Sequence, residues 1–311
     1  MPTAKLFDLS GCVAVPVIGW IGAGRMGVPL AGFILKAGYP LVVCSRNVAN
    51  RERLVAQGAT AAATPADCVK AADIVFASLP DDDALRKVAL GADGVLAHAR
   101  RGAIFVETST VSAEVSVEVD REASRLGIAY LRMPISGNAA SAQHGDVSVF
   151  VSGPEPAWSK VKPVVQTFSK AQSYLGSAEQ ARYMKLVVNA IIVSTAQATA
   201  EALALGRKAG LEWDTMLDTL AHSTIASPWL KAKLALLKQR DFTPTMTTRL
   251  ILKDIDLMLA AAQANGVEMP LTTVTRELMR TLMEEGHGEE DYMSIVKLVE
   301  KRSGLSTDRM D

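Results

Sequence analysis

The chain has 311 residues, and its 33 basic and 33 acidic side chains cancel. That balance gives no electrostatic footprint for nucleic acid and no polybasic patch for a membrane surface, while the length suffices for two domains with cores of their own. Cys12, Cys44 and Cys68 are widely spaced, form no Cys-x-x-Cys, and have no histidine near enough to complete a metal set, so they read as packing residues of a reduced, intracellular protein. The opening ten residues hold one lysine and no long apolar core, which predicts no secretory signal. No unbroken run reaches the roughly 18 apolar residues of a bilayer span, and the most apolar stretch, 186–193, contains Asn189. The expectation is a soluble cytoplasmic protein without metal, nucleic-acid partner or membrane anchor.

In chain order, short apolar runs predict strands at 17–21, 41–44, 74–78, 103–107, 128–132 and 147–152, with a last one near 173–175. Helical patterns separate them, and that alternation predicts a parallel sheet with crossover helices. After about Ala178 the strand pattern stops. Helices are expected at 180–209, 213–221, 229–238, 248–265, 271–285 and 293–302. The fold class is therefore α/β: an N-terminal Rossmann doubly wound parallel sheet over 15–178, an all-helical C-terminal domain for substrate and dimerisation over 179–302, and a polar tail, 303–311, expected to fray.

The first predicted strand runs into Gly22-Ala23-Gly24-Arg25-Met26-Gly27 and then an alanine-containing helical stretch. Strand, glycine turn and helix in that order suit a nucleotide pyrophosphate: a tight turn at the first glycine, close backbone approach at the second, close helix packing at the third, and unpaired N–H groups at the helix N-terminus. About 20 residues on, where a ribose-reading acid is expected, the chain has Ser45-Arg46-Asn47, with Arg51 one helical turn later. A guanidinium matches a phosphate dianion in charge and fork geometry, so the cofactor is read as NADP. The run Asp81-Asp82-Asp83 follows Pro80 and precedes a helical pattern, which fits a helix cap and first turn better than a metal site.

Three turns at predicted strand ends are natural contributors to one ligand site: Leu79-Pro80, Thr108-Ser109-Thr110 and the segment from Pro134 through Asn138. Lys185 and Asn189 stand four apart on a helix that is otherwise apolar, so they share a face, and buried polar groups need partners. The partner is either another side chain or a ligand. A lysine desolvated there has its pKa lowered toward neutrality and becomes a usable proton donor and acceptor. His98, His144, His222 and His287 are scattered, with His144 nearest the Pro134–Asn138 segment and read as a surface loop histidine; Trp229 and Phe242 read as packing residues.

Taken together, these motifs resemble the β-hydroxyacid dehydrogenase family over residues 17–298. The ordered matches are Gly-x-Gly-x-Met-Gly at Gly22, Gly24, Met26 and Gly27; Leu79-Pro80; Glu107-Thr108-Ser109-Thr110; Pro134-Ile135-Ser136-Gly137-Asn138; Lys185 with Asn189; Phe242 with Lys253-Asp254; and Asp291-Tyr292-Met293-Ser294. The resemblance implies hydride transfer between NAD(P) and a small 3-hydroxy acid or its semialdehyde. It implies Lys185 as general acid/base, a substrate held by Ser136, Gly137, Asn138 and Asn189, and a cofactor lined by Leu79, Pro80, Thr108 and Lys253 besides the glycine turn. It also implies a homodimer or homotetramer formed through the helical domain. The chain departs from the family pattern at Arg132 and Met133, at Asn138 in place of a glycine, at Glu179 and Ala181 before the lysine, and at Val188. The alternatives are an imine reductase-like NADPH enzyme, a group that generally lacks the lysine, and an inactive NADP-binding interaction protein.

Overall fold

The computed structural model describes residues 15–307; Cys12 and the opening ten residues lie outside it. Two compact units are present. One is built mainly from the chain up to Ala178 and the other from Glu179 onward, with the short pieces Thr110–Glu114 and Asn138–Ala140 grouped with the second.

The first unit holds β1 (Ile18–Ile21), α1 (Gly27–Lys36), β2 (Leu41–Cys44), α2 (Val48–Val55), β3 (Thr60–Ala61), α3 (Pro65–Lys70), β4 (Ile74–Ala77), α4 (Asp82–Leu90), α5 (Val95–His98), β5 (Ile104–Glu107), most of α6 (Ala113–Leu126) and β6 (Ala129–Arg132). Six strands form one sheet in the order β3-β2-β1-β4-β5-β6, every pair parallel. This is the doubly wound order, reversing between β1 and β4. Every residue of β1, β2, β4 and β5 is buried, as expected of parallel strands covered on both faces, and that is why they read as unbroken apolar runs. Trp20 stacks on Phe76 with ring centroids 5.3 Å apart, and Phe168 meets both edge-on. Leu30, Ala31 and Ile34 of α1 complete that core. Asp81 caps α4 by accepting the Ala84 N–H at 2.8 Å.

A second sheet joins β7 (Ile135–Ser136), β8 (Val147–Val151) and β9 (Ser169–Tyr174), with α7 (Ala139–Gln143) and α8 (Glu155–Val165) between them in the chain. Here the sequence expectation is corrected: the strands read at 147–152 and near 173–175 do not extend the parallel sheet. β7 pairs antiparallel with β8, and β8 pairs parallel with β9. Along β8, Val147, Val149 and Val151 are buried while Ser148 and Phe150 are half-buried, the period-two pattern of a sheet with one covered face. β9 starts four residues earlier than expected because its first half, Ser-Lys-Ala-Gln, carries almost no apolar signal.

The second unit is helical: α9 (Gln180–Lys208), α10 (Trp213–Ala221), α11 (Pro228–Lys238), α12 (Thr248–Ala264), α13 (Pro270–Leu282) and α14 (Ile295–Arg302). Side-chain caps at Glu212, Ser227 and Thr247 set the starts of α10, α11 and α12. By length and composition α9 is long and apolar enough to cross a bilayer, although its polar residues leave no unbroken apolar run. Its Leu186, Val193, Ala196, Ala200 and Leu203 instead belong to the core of this unit.

Two buried ionic groups brace the helices. Lys233 Nζ bonds both Asp291 oxygens, at 2.7 and 2.8 Å, and Asp291 also accepts the Thr245 and Met293 N–H groups. Burial pushes the Lys233 ammonium down, against the pull of Asp291. The wholly buried Glu300 takes Arg207 Nη1 at 2.5 Å and Arg240 through its two terminal nitrogens, Nη1 and Nη2, at 2.9 and 2.7 Å. The same arginines bond the carbonyls of Ser306 and Thr307. The frayed tail expected from residue 303 is therefore corrected for 303–307, which two guanidiniums hold down; 308–311 lie outside the described residues.

Candidate active site

In the first unit the sequence-predicted cofactor residues gather at the carboxyl ends of β1, β2, β4 and β5. The glycine turn follows β1, and each glycine has its own physical reason. Gly22 sits at φ +93°, and a Cβ there would lie 2.2 Å from the Ser78 carbonyl oxygen. A Cβ at Gly27 would lie 2.3 Å from the Gly22 oxygen and 2.8 Å from Trp20 Nε1. At Gly24 a Cβ would meet no atom of the described residues within 4 Å, so no clash among them requires the second glycine, and the turn is open on that side. Ala23 is buried and Arg25 exposed. Met26 is the residue before α1, whose start has no side-chain cap and no acid in its first turn; the Val28 N–H is taken by the Gly24 carbonyl at 3.1 Å and Pro29 has none, so this helix start offers an anion the Gly27 N–H and its partial positive charge. The arrangement fits a dinucleotide pyrophosphate.

After β2, Ser45 Oγ accepts the Asn47 N–H, and Asn47 Oδ1 caps α2 by accepting from Asn50 at 3.0 Å. Arg46 is exposed, and among the described residues no hydrogen bond or ion pair occupies its guanidinium; Arg51 is engaged by Glu52 at 3.2 Å. Asn50, which the sequence gave no reason to single out, donates from Nδ2 to the Ala23 carbonyl at 2.9 Å and ties α2 to the glycine turn. After β4 come Leu79, half-buried, and Pro80, exposed. The Leu79 N–H donates to Ser109 Oγ at 2.7 Å, and the Thr108 hydroxyl donates to the Ala77 carbonyl at 2.8 Å. Ser136 lies half-buried on β7, and Gly137 at φ +153° has no room for a Cβ, which would lie 2.7 Å from Ser141 Oγ and 2.9 Å from Val147 Cγ1.

In the second unit, Lys185 and Asn189 occupy one face of α9, opposite Lys253-Asp254 of α12. Asn189 is buried, and its Nδ2 donates to Asp254 Oδ2 at 2.7 Å. Lys253 Nζ lies 2.9 Å from Asp254 Oδ1 and donates to the Thr110 carbonyl at 2.6 Å. Burial pushes the half-buried Lys185 ammonium below the usual lysine range; the Asp254 charge opposes that shift and the Lys253 charge adds to it. Of the two partners considered for the Lys185–Asn189 face, a side chain is the one observed: Asp254 takes the Asn189 amide N–H. Asp254 is the central residue of this cluster, and the sequence reading quoted it without assigning it a role. Asn138, also grouped here, is half-buried just ahead of α7.

The remaining candidates have local partners. His98, His222 and His287 engage the Ala92 carbonyl, the Asp218 carbonyl and Glu290 respectively, and His144 is exposed after α7. Trp229 Nε1 donates to the Tyr292 hydroxyl at 2.9 Å, and Phe242 lies under Arg240 and Lys297.

Residues 17–176 match the family model of the NAD binding domain of 6-phosphogluconate dehydrogenase. Residues 180–299 match that described as NAD-binding of NADP-dependent 3-hydroxyisobutyrate dehydrogenase. The chain is 31% identical to a 2-(hydroxymethyl)glutarate dehydrogenase of Eubacterium barkeri, over 93% of this chain and 96% of that one. It is 31% identical to an NAD-dependent L-serine dehydrogenase of Pseudomonas aeruginosa, over 92% of this chain and 99% of that one. Among solved structures, a 3-hydroxyisobutyrate dehydrogenase from Salmonella typhimurium aligns with a TM-score of 0.83 at 26% identity, covering 90% of this chain and 99% of that one.

The contrast among the glycines gives a test. Gly24→Ala is expected to keep the melting temperature of the unaltered chain and lose about tenfold or more in dinucleotide affinity. Gly22→Ala is expected to lower the melting temperature itself, since the new methyl meets a backbone carbonyl. Thermal unfolding and a cofactor fluorescence titration of both variants check this; full affinity in Gly24→Ala would remove the pyrophosphate assignment.

Proposed function

Because the chain belongs to the β-hydroxyacid dehydrogenase family, and is thereby a pyridine-nucleotide-dependent oxidoreductase, we propose that it moves a hydride between NADP and a small 3-hydroxy acid or the matching semialdehyde, with Lys185 as general acid and base. The observation that carries the proposal is the half-buried Lys185 on α9, desolvated and flanked by Asp254 and Lys253. In the oxidising direction the neutral Lys185 amine takes the hydroxyl proton as the C–H bond gives up its hydride; in the reducing direction the Lys185 ammonium returns a proton to the carbonyl oxygen. The nicotinamide, when bound, supplies or accepts the hydride. Asp254 holds Asn189 by its amide N–H, which leaves the Asn189 carbonyl oxygen to accept from a substrate hydroxyl. Ser136, Gly137 and Asn138 form the remainder of the proposed substrate contacts. The glycine turn, Ser45, Arg46, Asn47, Leu79, Pro80, Thr108 and Lys253 are the proposed cofactor contacts.

NADP rather than NAD is supported by Arg46. It is the exposed cation at the end of β2, and Arg51 beside it is already paired. We further propose a homodimer or homotetramer. Val187 and Ile191, one turn apart on α9, are 52% and 65% exposed, an apolar stripe that a second copy would cover. A light-scattering mass of a single chain would exclude that assembly.

Lys185→Met is expected to lower kcat by about 10²- to 10⁴-fold while leaving nucleotide affinity unchanged. For the unaltered chain, oxidation needs the neutral amine and should rise with pH, and reduction needs the ammonium and should fall. Both should turn at a midpoint below the ~10.4 of a solvated lysine. Turnover that survives Lys185→Met, or pH profiles lacking that mirror relation, would reject the lysine mechanism. Arg46→Ala should weaken NADPH binding about 10- to 100-fold, the worth of a charge-assisted contact, and leave NADH binding unchanged. Equal losses for both nucleotides would reject NADP selectivity through Arg46.

A further inference from the structure

The carboxyl ends of β5 and β6 carry a buried carboxylate and a buried guanidinium that no step above uses. Glu107 and Arg132 are register partners on these adjacent parallel strands, so their side chains leave the sheet on the same face. Their exposures are 0% and 1%. Two positions earlier on that face, Phe105 and Tyr130 stack with centroids 5.7 Å apart, and the Arg132 guanidinium lies 4.7 Å above the Tyr130 ring. Helix α6 supplies the cover: Arg132 Nε donates to Ser116 Oγ at 3.3 Å, and Nη2 lies 3.0 Å from Asp120 Oδ2.

The main chain around this pair is fixed as firmly as the side chains. Arg132 and Ser152 exchange both backbone hydrogen bonds at 2.9 Å, and the Met133 N–H donates to the Glu107 carbonyl at 2.7 Å. From Glu107 a chain of hydrogen bonds runs back across the sheet. Glu107 Oε1 accepts the Ser109 N–H, Ser109 Oγ accepts the Leu79 N–H at 2.7 Å, and Thr108 donates to the Ala77 carbonyl through both its N–H, at 2.9 Å, and its hydroxyl, at 2.8 Å. The turn after β5 and the turn after β4 are thereby locked together, and both contain proposed cofactor contacts.

We infer that Glu107 is a positioning residue for the cofactor-side turns, and that Arg132, its buried register partner, is the guanidinium that supports it there. A buried carboxylate with no cation nearby is costly, and a guanidinium stacked on an aromatic face is well suited to such company. The inference rests on the cofactor assignment of Leu79, Pro80 and Thr108. It gives Arg132, which departs from the family pattern, a task in this chain.

The test is a fluorescence titration with NADPH and NADH of the unaltered chain, Glu107→Gln, Arg132→Met, the double variant and Ser109→Ala, with steady-state kinetics and melting temperatures alongside. Each single substitution is expected to weaken nucleotide binding about tenfold and to raise the cofactor KM with kcat held within about twofold. The double variant should bind no worse than the weaker single, because it removes both charges at once. Multiplying losses in the double variant, or melting temperatures that fall while nucleotide affinity stays constant, would overturn the inference. Should Glu107→Gln fail to fold, Ser109→Ala decides, since it cuts the link to Leu79 without touching a charge, and full affinity there would overturn it as well. No binding of either nucleotide by the unaltered chain would overturn the cofactor assignment and this inference together.

Discussion

The first unit depends on how closely the backbone after β1 passes the backbone after β4. These strands are neighbours in the sheet although they lie more than fifty residues apart in the chain, and the order of the sheet reverses between them. At that point the turn at Gly22 runs so near the Ser78 carbonyl that no side chain fits. The start of α1 is fixed against the same turn by the missing Cβ of Gly27. From this approach follow the direction of α1 and the open space at Gly24. Asn50 secures the turn from the other side through the Ala23 carbonyl.

In the second unit the corresponding constraint is electrostatic. Asp254 is a buried carboxylate answering to an amide, a neighbouring ammonium and the charge of Lys185. Desolvation lowers the lysine's proton affinity and Asp254 raises it again, so the balance between them sets where Lys185 titrates.

Most of the fold was legible because its signals are local. The four fully buried strands are unbroken apolar runs, the helices of the second unit have clear periodicity with side-chain caps on α10, α11 and α12, and Gly22 and Gly27 stand where close backbone approach needs them. The two-residue strands β3 and β7 were too short to carry a pattern. The membership of β8 and β9 in a separate sheet was invisible because periodicity identifies a strand without naming its neighbours. At the site, Lys185 and Asn189 stood out as polar residues on an apolar helix. Asp254 and Glu107 did not, since a carboxylate within an amphipathic helix or at a strand end looks like a surface residue until its burial is known. The pinned tail was unreadable for a related reason: its polar residues suggested fraying, and the arginines that hold it come from α9 and the turn after α11, far back in the chain.

That pinned tail has a mechanical consequence. Arg207 sits near the end of α9 and Lys185 near its beginning, 22 residues apart in one continuous helix, or roughly 33 Å at 1.5 Å per residue. Through Glu300 and the carbonyl of Ser306, residues 300–306 clamp one end of a rod whose other end bears Lys185. That stretch and the lysine are thus joined by a stiff strut, so a change at Glu300 or Ser306 can tilt Lys185 without coming near it.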